Sequence, residues 1–408
     1  MNQNFIDTVH LFSCGARGIM PEANRPYDFE KIYHISKSQG IWETVFLAVS
    51  KLYEDNPQTL PKDTFEKLNA AFLMRCGKQC ARYDFIHRLL KTFADNGIAC
   101  CILKGESVAR FYHTPVARIS SDVDILINPK KLDLCLKIMN ENGFHVGNKV
   151  YESHQVECTH PSIGLVEIHT MMYGRKTEDV CFNNEIKYEE AYLTVKAEDG
   201  TEYKTLGITD NFLFLLLHFI KHFLSAGAGI RQLEDVLLYV EHNYGQIDWD
   251  RANRALLNLG FQKFFACMIA IGKKYFDFPK DLMGENGIDA VLAEQIFEDM
   301  EQGGVFGHDD KLRQGFYELY LNERSKKRNG KSYAAYKNKR KFARLFPNRA
   351  FMAVNFPYVE KTALLLPVAW AHRIIKGILP PKKQNSASAQ ISRKHEERLK
   401  LMQDLDMI

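Results

Sequence analysis

The sequence predicts a small mixed β-sheet, of α/β or α+β type, with helical regions before and after it in the chain. Four short apolar or alternating runs have the length of strands: 98–103, 123–127, 150–159 and 164–170. Between 28 and 95, and again between 209 and 321, apolar residues recur at the three- and four-residue spacing of helices. Strands separated by short helices predict one sheet with helices packed on it.

Turn and cap residues set the boundaries of these elements. Asn96-Gly97 ends the last N-terminal helix, and Lys104-Gly105 breaks the first strand before a short helix over 106–112. Pro129 opens a helix that runs through Asn142, because proline is tolerated in the first turn of a helix. The pattern also predicts two later amphipathic helices: 212–224 and 230–242.

The 408 residues are more than one hydrophobic core usually serves, so we predict more than one domain. Apolar residues make up 46% of the chain and charged residues 25%, which excludes a collagen, a coiled-coil rod and a wholly disordered chain. The predicted regions are 1–97 (helical), 98–205 (the sheet-containing core), 206–322 (helical) and 323–408 (basic and interrupted by prolines).

Three features predict a cytoplasmic protein. The N-terminal segment contains an acid and no basic stretch, unlike a signal peptide. No apolar run reaches the roughly 18 residues of a membrane span. The nine cysteines are odd in number and lack CxxC spacing, which favours reduced thiols over a disulfide framework.

Positive charge is concentrated near the C-terminus. Residues 324–383 hold 16 of the 54 basic residues and one of the 50 acids, Glu360. A solvated charged surface is the simplest interpretation of this basic segment. Because Phe356, Trp370 and several aliphatic residues accompany the cations, an anionic membrane surface is a second, which would place the protein at the inner membrane face. A contact with RNA is a third.

A pair of acids is the most informative feature of the sequence. Asp122 and Asp124 are two apart on a predicted strand, so their side chains share one face while Val123 and Ile125 take the other. Two carboxylates on one face repel each other unless a cation lies between them, and a divalent ion is the usual solution. The alternative is a solvated sheet face with two acids that have no function.

A third acid, Glu167, alternates with apolar residues on the predicted strand 164–170. Three carboxylates that converge across adjacent strands would hold two Mg²⁺ ions, which stabilise the attacking and leaving oxygens of an in-line phosphoryl displacement. Lys104-Gly105 lies at a strand-to-helix turn, where backbone N–H groups can receive a triphosphate. Lys104 and Arg118 would supply counter-charge.

These residues form ordered motifs. They are a Lys-Gly turn at 103–105, an Arg-x-x-x-Asp-hydrophobic-Asp run at 118–124, a Glu-hydrophobic-His strand at 167–169, and a His-rich helix at 217–222 followed by Asp235. In this order they resemble the DNA-polymerase-β-type nucleotidyltransferase superfamily, and within it the branch of uncharacterised nucleotidyltransferases. The resemblance covers roughly residues 30 to 300.

The resemblance implies an α+β protein with a small mixed-sheet nucleotidyltransferase core flanked by N-terminal and C-terminal helical regions. It implies an enzyme that uses Mg²⁺ or Mn²⁺ to transfer NMP from an NTP to an acceptor hydroxyl on a small molecule, RNA or protein. The implied catalytic and metal-binding residues are Asp122, Asp124 and Glu167. The implied nucleotide-binding residues are Lys104, Gly105, Arg118 and Ser121. The acceptor, the base preference and the oligomeric state stay open.

Two points qualify this expectation. Glu106 follows Gly105 where the superfamily commonly has Ser or Gly, and its charge is unfavourable beside a triphosphate unless it points away. A catalytically inactive relative, acting as a binding or assembly protein with its basic tail on a membrane surface, is therefore the alternative.

Four residues are candidates for the acceptor pocket: His169, His218, His222 and Asp235. The spacing of His218 and His222 also suits zinc, although the metalloprotease glutamate is missing.

Overall fold

The computed structural model describes residues 2–147, 155–173, 182, 185–186, 192–196, 200–225, 227–282, 289–303, 316–329, 346, 349, 352, 356–360, 363–375 and 386–408. The chain forms two compact units, one of residues 1–311 with 404–407, the other of 312–403 with 408. The first unit contains a seven-stranded mixed sheet among helices, which confirms the predicted α+β class. The finer division into four regions stays a prediction.

The sheet has the spatial order β3-β4-β5-β2-β1-β7-β6. Its strands are β1 (Cys100–Ile102), β2 (Asp122–Ile127), β3 (His145–Val146), β4 (Gln155–His160), β5 (Gly164–His169), β6 (Tyr192–Lys196) and β7 (Glu202–Leu206). The central strand β2 runs parallel to β5 and antiparallel to β1. The acidic strand of the sequence is therefore flanked by the strand that carries Glu167 and the strand that leads to Lys104.

Helices precede and follow the sheet along the chain. Those of the first unit are α1 (Gln3–Arg17), α2 (Phe29–Ser38), α3 (Trp42–Asp55), α4 (Lys62–Asp95), α5 (Glu106–Ala109), α6 (Leu132–Glu141), α7 (Ile208–Ser225), α8 (Ile230–Asn243), α9 (Trp249–Leu259), α10 (Gln262–Tyr275) and α11 (Ala290–Gly303). The later described helices are α12 (Phe316–Asn329), α13 (Leu366–Ile375) and α14 (Ser386–Asp404).

One face of the sheet packs on α4 and α6. The buried cluster between them combines residues from α4 (Ile86, Leu89, Phe93), β2 (Ile125, Ile127), α6 (Leu136, Met139) and β5 (Val166, Ile168). Because side chains alternate along a strand, the acids of β2 and β5 point to the opposite face. The burial of the apolar partners thus fixes which way the acids point.

Several elements differ from the predicted ones. The helix predicted over 106–112 is a single turn, α5. The strand predicted over 150–159 is described only from Gln155, and residues 148–154 lie outside the described part of the chain. β3, β6 and β7 were not predicted, because they are at most five residues long and mix polar with apolar side chains. β6 and β7 pair with each other, and β7 pairs with β1 through Ile102 and Thr205.

Most of the basic segment 324–383 lies outside the described residues, so its contact with a membrane or with nucleic acid stays a prediction. Within the described residues, no single helix is both long and apolar enough to cross a membrane. α9 and α10 pass that test of length and composition only when taken together, with a 118° bend between them.

Candidate active site

Asp124, Glu167 and His169 form a compact cluster on β2 and β5. The parallel register places Asp124 directly opposite Glu167. His169 Nε2 lies 3.0 Å from Asp124 Oδ1 and 3.4 Å from Glu167 Oε2, so the ring stands between the two carboxylates. Burial acts to lower the pKa of His169, but its hydrogen bonds to Asp124 and Glu167 outweigh burial and raise it. Burial raises the pKa of Glu167.

Lys104 supplies positive charge between the two acids of β2. Its Nζ lies 3.3 Å from Asp122 Oδ2 and 3.1 Å from Asp124 Oδ1. Burial opposes both charges, yet the pairing keeps the pKa of Lys104 above its usual value and that of Asp124 well below. The backbone positions this pair, since Leu103 N donates to Asp124 O at 3.0 Å as the chain leaves β1. The repulsion inferred from the sequence is therefore relieved by Lys104, and charge balance alone does not require a metal ion.

Gly105 gives the turn after Lys104 its shape. Its φ of 65° with ψ of −114° is a conformation that residues with a Cβ rarely adopt. The next residue, Glu106, points to α4, where its Oε1 lies 2.6 Å from His87 Nε2. Its carboxylate is thus held by His87 and points away from the turn. The negative charge of Glu106 is therefore compatible with a triphosphate at the turn.

The turn conformation predicts the effect of Gly105→Ala. The added Cβ would meet nothing nearer than Ser120 Oγ at 3.8 Å, so the cost comes from the backbone and not from a clash. We expect a loss of about 1–3 kcal/mol in the free energy of unfolding, measured by urea denaturation. The control is Gly77→Ala inside α4, where an added Cβ would meet no atom within 4 Å. The free energy of unfolding of this variant should rise by about 0.5–1 kcal/mol. Equal stability of Gly105→Ala and the wild type would contradict this turn.

Arg82 of α4 anchors the chain at the start of β2 and of β5. Its Nη1 donates to Ser120 O at 2.6 Å, and its Nη2 donates to Ser121 O at 3.3 Å and to Leu165 O at 3.1 Å. Ser121 Oγ in turn donates to Asp122 Oδ1 at 3.1 Å. Burial lowers the pKa of Arg82. Nothing in the sequence identified Arg82, because its role depends on how a long helix crosses the sheet.

Arg118 and Asp235 form a buried ion pair that links the loop before β2 to α8. Arg118 Nε donates to Asp235 Oδ1 at 2.8 Å, and Tyr112 Oη donates to the same oxygen at 2.8 Å. Arg118 Nη2 completes a bidentate pair with Asp235 Oδ2, and its Nη1 donates to Ser120 Oγ at 2.6 Å. Each nitrogen of the Arg118 guanidinium is thus engaged within the protein. Contact of Arg118 with a phosphate stays a prediction.

His218 and His222 lie on one side of α7, with ring centroids 4.5 Å apart. His218 Nε2 is 3.5 Å from Lys104 Nζ, which connects α7 to the turn. Burial and the Lys104 charge lower the pKa of both rings, that of His222 to about 4, so both are neutral near pH 7. Neutral imidazoles can accept hydrogen bonds from a bound ligand.

The predicted residues line one cavity. Its volume of about 400 Å³ is within the usual range of small-molecule sites. All eleven site residues predicted from the sequence line it: Lys104, Gly105, Arg118, Ser121, Asp122, Asp124, Glu167, His169, His218, His222 and Asp235. Lining residues that sequence reasoning missed include Tyr173, Phe214, Lys221 and Arg231. Lys221 Nζ lies 5.3 Å from the centre of the Tyr173 ring, and Arg231 Nη1 donates to Ile119 O at 2.5 Å.

The donors in this cavity fit a hard divalent cation. Asp124, Glu167 and His169 each offer one ligand atom, and these atoms lie within 4.8 Å of one another. The carboxylate oxygens of Asp124 and Glu167 suit Mg²⁺ or Mn²⁺, whereas the imidazole nitrogen of His169 is a donor more typical of transition metals. Asp122 is beside them with a side chain 27% exposed, open to solvent. Lys104 Nζ would have to give up part of its contact with the carboxylates when an ion binds.

Comparison with known proteins agrees with these motifs. The profile of a family described as "Uncharacterised nucleotidyltransferase" matches residues 25–277. No curated protein matches the chain significantly. Among solved structures, the solution structure of the antibiotic-resistance factor ANT(2'')-Ia is similar at 9% identity and a TM-score of 0.33, covering 48% of this chain and 98% of its own. The crystal structure of an antigenic nucleotidyltransferase-like protein from Paracoccidioides brasiliensis is similar at 15% identity and a TM-score of 0.31, covering 48% and 92%. Since the family profile spans more than half of the sequence, the chain belongs to the uncharacterised nucleotidyltransferase family.

Proposed function

We propose that the chain is an Mg²⁺- or Mn²⁺-dependent nucleotidyltransferase that transfers NMP from an NTP to an acceptor hydroxyl, with pyrophosphate leaving. The observation that carries the proposal is the pairing of Asp124 with Glu167 on parallel strands, beside the Lys104-Gly105 turn and within one cavity. Carboxylates that hold divalent ions next to a basic turn are the arrangement that phosphoryl-transfer chemistry uses.

Asp122, Asp124 and Glu167 would hold the metal. A bound divalent ion would neutralise charge that develops on the phosphate oxygens. His169 orients this set, because its Nε2 contacts both Asp124 and Glu167 and limits how the two carboxylates turn. The role of the protein is thus to fix the carboxylates in place before the substrate arrives.

The other residues of the cavity would position the substrates. Lys104, Lys221 and Arg231 add positive charge for a triphosphate, while the Gly105 turn leaves backbone at the cavity free of a side chain. Tyr173 and Phe214 of the lining offer aromatic faces for a base or for an acceptor ring. The neutral ring of His222 can accept a hydrogen bond from an acceptor hydroxyl, whereas His218 Nε2 already faces the donor Lys104 Nζ. A nucleotide and an acceptor could therefore meet at the carboxylates.

Label transfer into cell extract tests the proposal. Each of the four α-labelled NTPs is incubated with wild type or with the Asp122→Asn/Asp124→Asn double variant, in Mg²⁺, Mn²⁺ or EDTA. We expect an acceptor labelled only by wild type with metal, and its size and sensitivity to nuclease or protease would reveal its class. Turnover by the double variant equal to wild type would refute the site, and transfer unaffected by EDTA would refute the metal requirement.

The alternative is a catalytically inactive protein of this fold that binds a partner or a membrane surface. No label from any nucleotide, in an extract that contains the acceptor, would favour it. Anionic vesicles would then test the basic segment, since deletion of residues 325–383 should abolish co-sedimentation if that segment is the anchor. Vesicle binding that survives the deletion would refute the anchor. In either case, we propose that the protein lies in the cytoplasm or at the inner membrane face.

A further inference from the structure

A second group of metal-ligating side chains lies outside the active-site cavity. His10 and Cys14 are one helical turn apart on α1, and Asp277 follows α10. Cys14 Sγ is 3.9 Å from His10 Nδ1, and the same nitrogen is 3.8 Å from Asp277 Oδ2. Two segments that are more than 250 residues apart in sequence thus bring a thiol, an imidazole and a carboxylate to one point. Asp277 adopts a φ of 52°, which few residues other than glycine do.

The contacts around this group hold the two segments together. Ser13 Oγ, next to Cys14, donates to Phe276 O, next to Asp277, at 2.6 Å. The spacing of the three ligand atoms is therefore set by a buried hydrogen bond on the adjacent residues and not by surface side chains alone. Cys14 is buried, whereas the side chains of His10 and Asp277 are 17% and 39% exposed. Solvent reaches the group from the side of His10 and Asp277.

From this geometry we infer that His10, Cys14 and Asp277 bind a zinc-type divalent cation that links α1 to the segment after α10. Thiolate, imidazole and carboxylate are the donors that Zn²⁺ prefers. With bonds of about 2.0–2.3 Å, tetrahedral ligand atoms lie about 3.3–3.5 Å apart. The sulfur–imidazole and imidazole–carboxylate distances therefore need to shrink by a few tenths of an ångström, and the sulfur–carboxylate distance is at most 4.8 Å. The exposed side leaves a fourth position for water.

The same three residue types also make up a nucleophilic triad, but burial excludes that interpretation. The Cys14 side chain is fully buried, so a substrate carbonyl cannot approach its sulfur. A metal ion is small enough to enter from the exposed side, and on binding it would displace the thiol proton to solvent.

Cobalt substitution tests this site in the full-length protein. Co²⁺ bound to a thiolate gives a near-ultraviolet charge-transfer band, whereas the carboxylate cluster at Asp124 contains no sulfur and gives none. We expect this band in wild type, with competition by Zn²⁺, and its loss in Cys14→Ser. Cys80→Ser is the matched control because it removes an exposed thiol and should retain the band.

Two further outcomes keep the test decisive. Asp277 lies at the exposed rim of the site, so the Asp277→Asn variant should fold even if Cys14→Ser does not. We expect this variant to bind Co²⁺ at least about tenfold more weakly than wild type. A folded wild type without the band would overturn the inference, as would a band that survives Cys14→Ser. Because the readout is a spectrum and not activity, failure here leaves the nucleotidyltransferase proposal untouched, and the reverse also holds.

Discussion

Asp124→Asn is expected to reduce nucleotidyl transfer by at least about 100-fold while the protein stays folded. The substitution keeps the shape of the side chain and an oxygen that can accept from His169, but it removes the charge that would hold a divalent ion. Loss of groups that only support a metal ligand already costs 10–100-fold, so loss of a ligand should cost at least as much. The measurement is kcat/KM for the labelled NTP with the acceptor found by label transfer.

Glu157→Gln is the matched control for this prediction. Glu157 lies on β4 directly opposite Glu167, so it shares the same face of the sheet, but it is exposed and does not line the cavity. We expect activity within about twofold of wild type, and thermal melting should show both variants folded. Equal losses of activity in Asp124→Asn and Glu157→Gln would mean that the effect comes from the overall negative charge of this face of the sheet and not from the cluster of Asp124, Glu167 and His169.

Asp235→Ala should lower the free energy of unfolding by about 3–5 kcal/mol, the largest stability effect we expect. Both side chains of the Arg118–Asp235 pair are nearly fully buried, at 5% and 7% exposed. Removing the carboxylate leaves the guanidinium and Tyr112 Oη buried without their acceptor, and an uncompensated buried charge is costly. Urea denaturation of wild type and variant measures the difference.

A surface pair provides the comparison for this buried one. Lys137 and Glu141 lie 3.7 Å apart on α6 with exposed side chains, so Glu141→Ala should cost less than about 1 kcal/mol. Asp235→Asn should fall between the two, since it keeps an oxygen for Tyr112 and Arg118 but loses the charge. If Asp235→Ala cost no more than Glu141→Ala, the ion pair would not hold the loop before β2 on α8.

The alternation of polar and apolar residues was enough to predict which faces the acids take. A period of two puts Asp122 and Asp124 on one side of β2 and Glu167 on the matching side of β5, whatever the order of the strands. What the sequence could not provide is the register that sets Asp124 opposite Glu167, because it depends on strand pairing across a connection of more than 30 residues. Lys104, predicted to supply counter-charge, contacts both acids of β2, while a divalent ion between these acids stays a prediction.

The supporting residues were missed for a related reason. Arg82, Tyr173 and Arg231 come from three separate segments, and only the packing of those segments brings them to the sheet. β6 and β7 were missed because five-residue strands of mixed polarity look like loops until they pair with each other and with β1. Roles assigned to individual site residues remain predictions that the variants above address.

The most direct test of the central claim is which phosphorus of the NTP the acceptor receives. Paired reactions with α-labelled and γ-labelled nucleotide, each with Mg²⁺ and the identified acceptor, distinguish nucleotidyl transfer from transfer of the terminal phosphoryl group. We predict that the α label enters the acceptor and the γ label leaves in pyrophosphate, with both signals lost in Asp124→Asn. Entry of the γ label into the acceptor, with NDP as the product, would contradict the account.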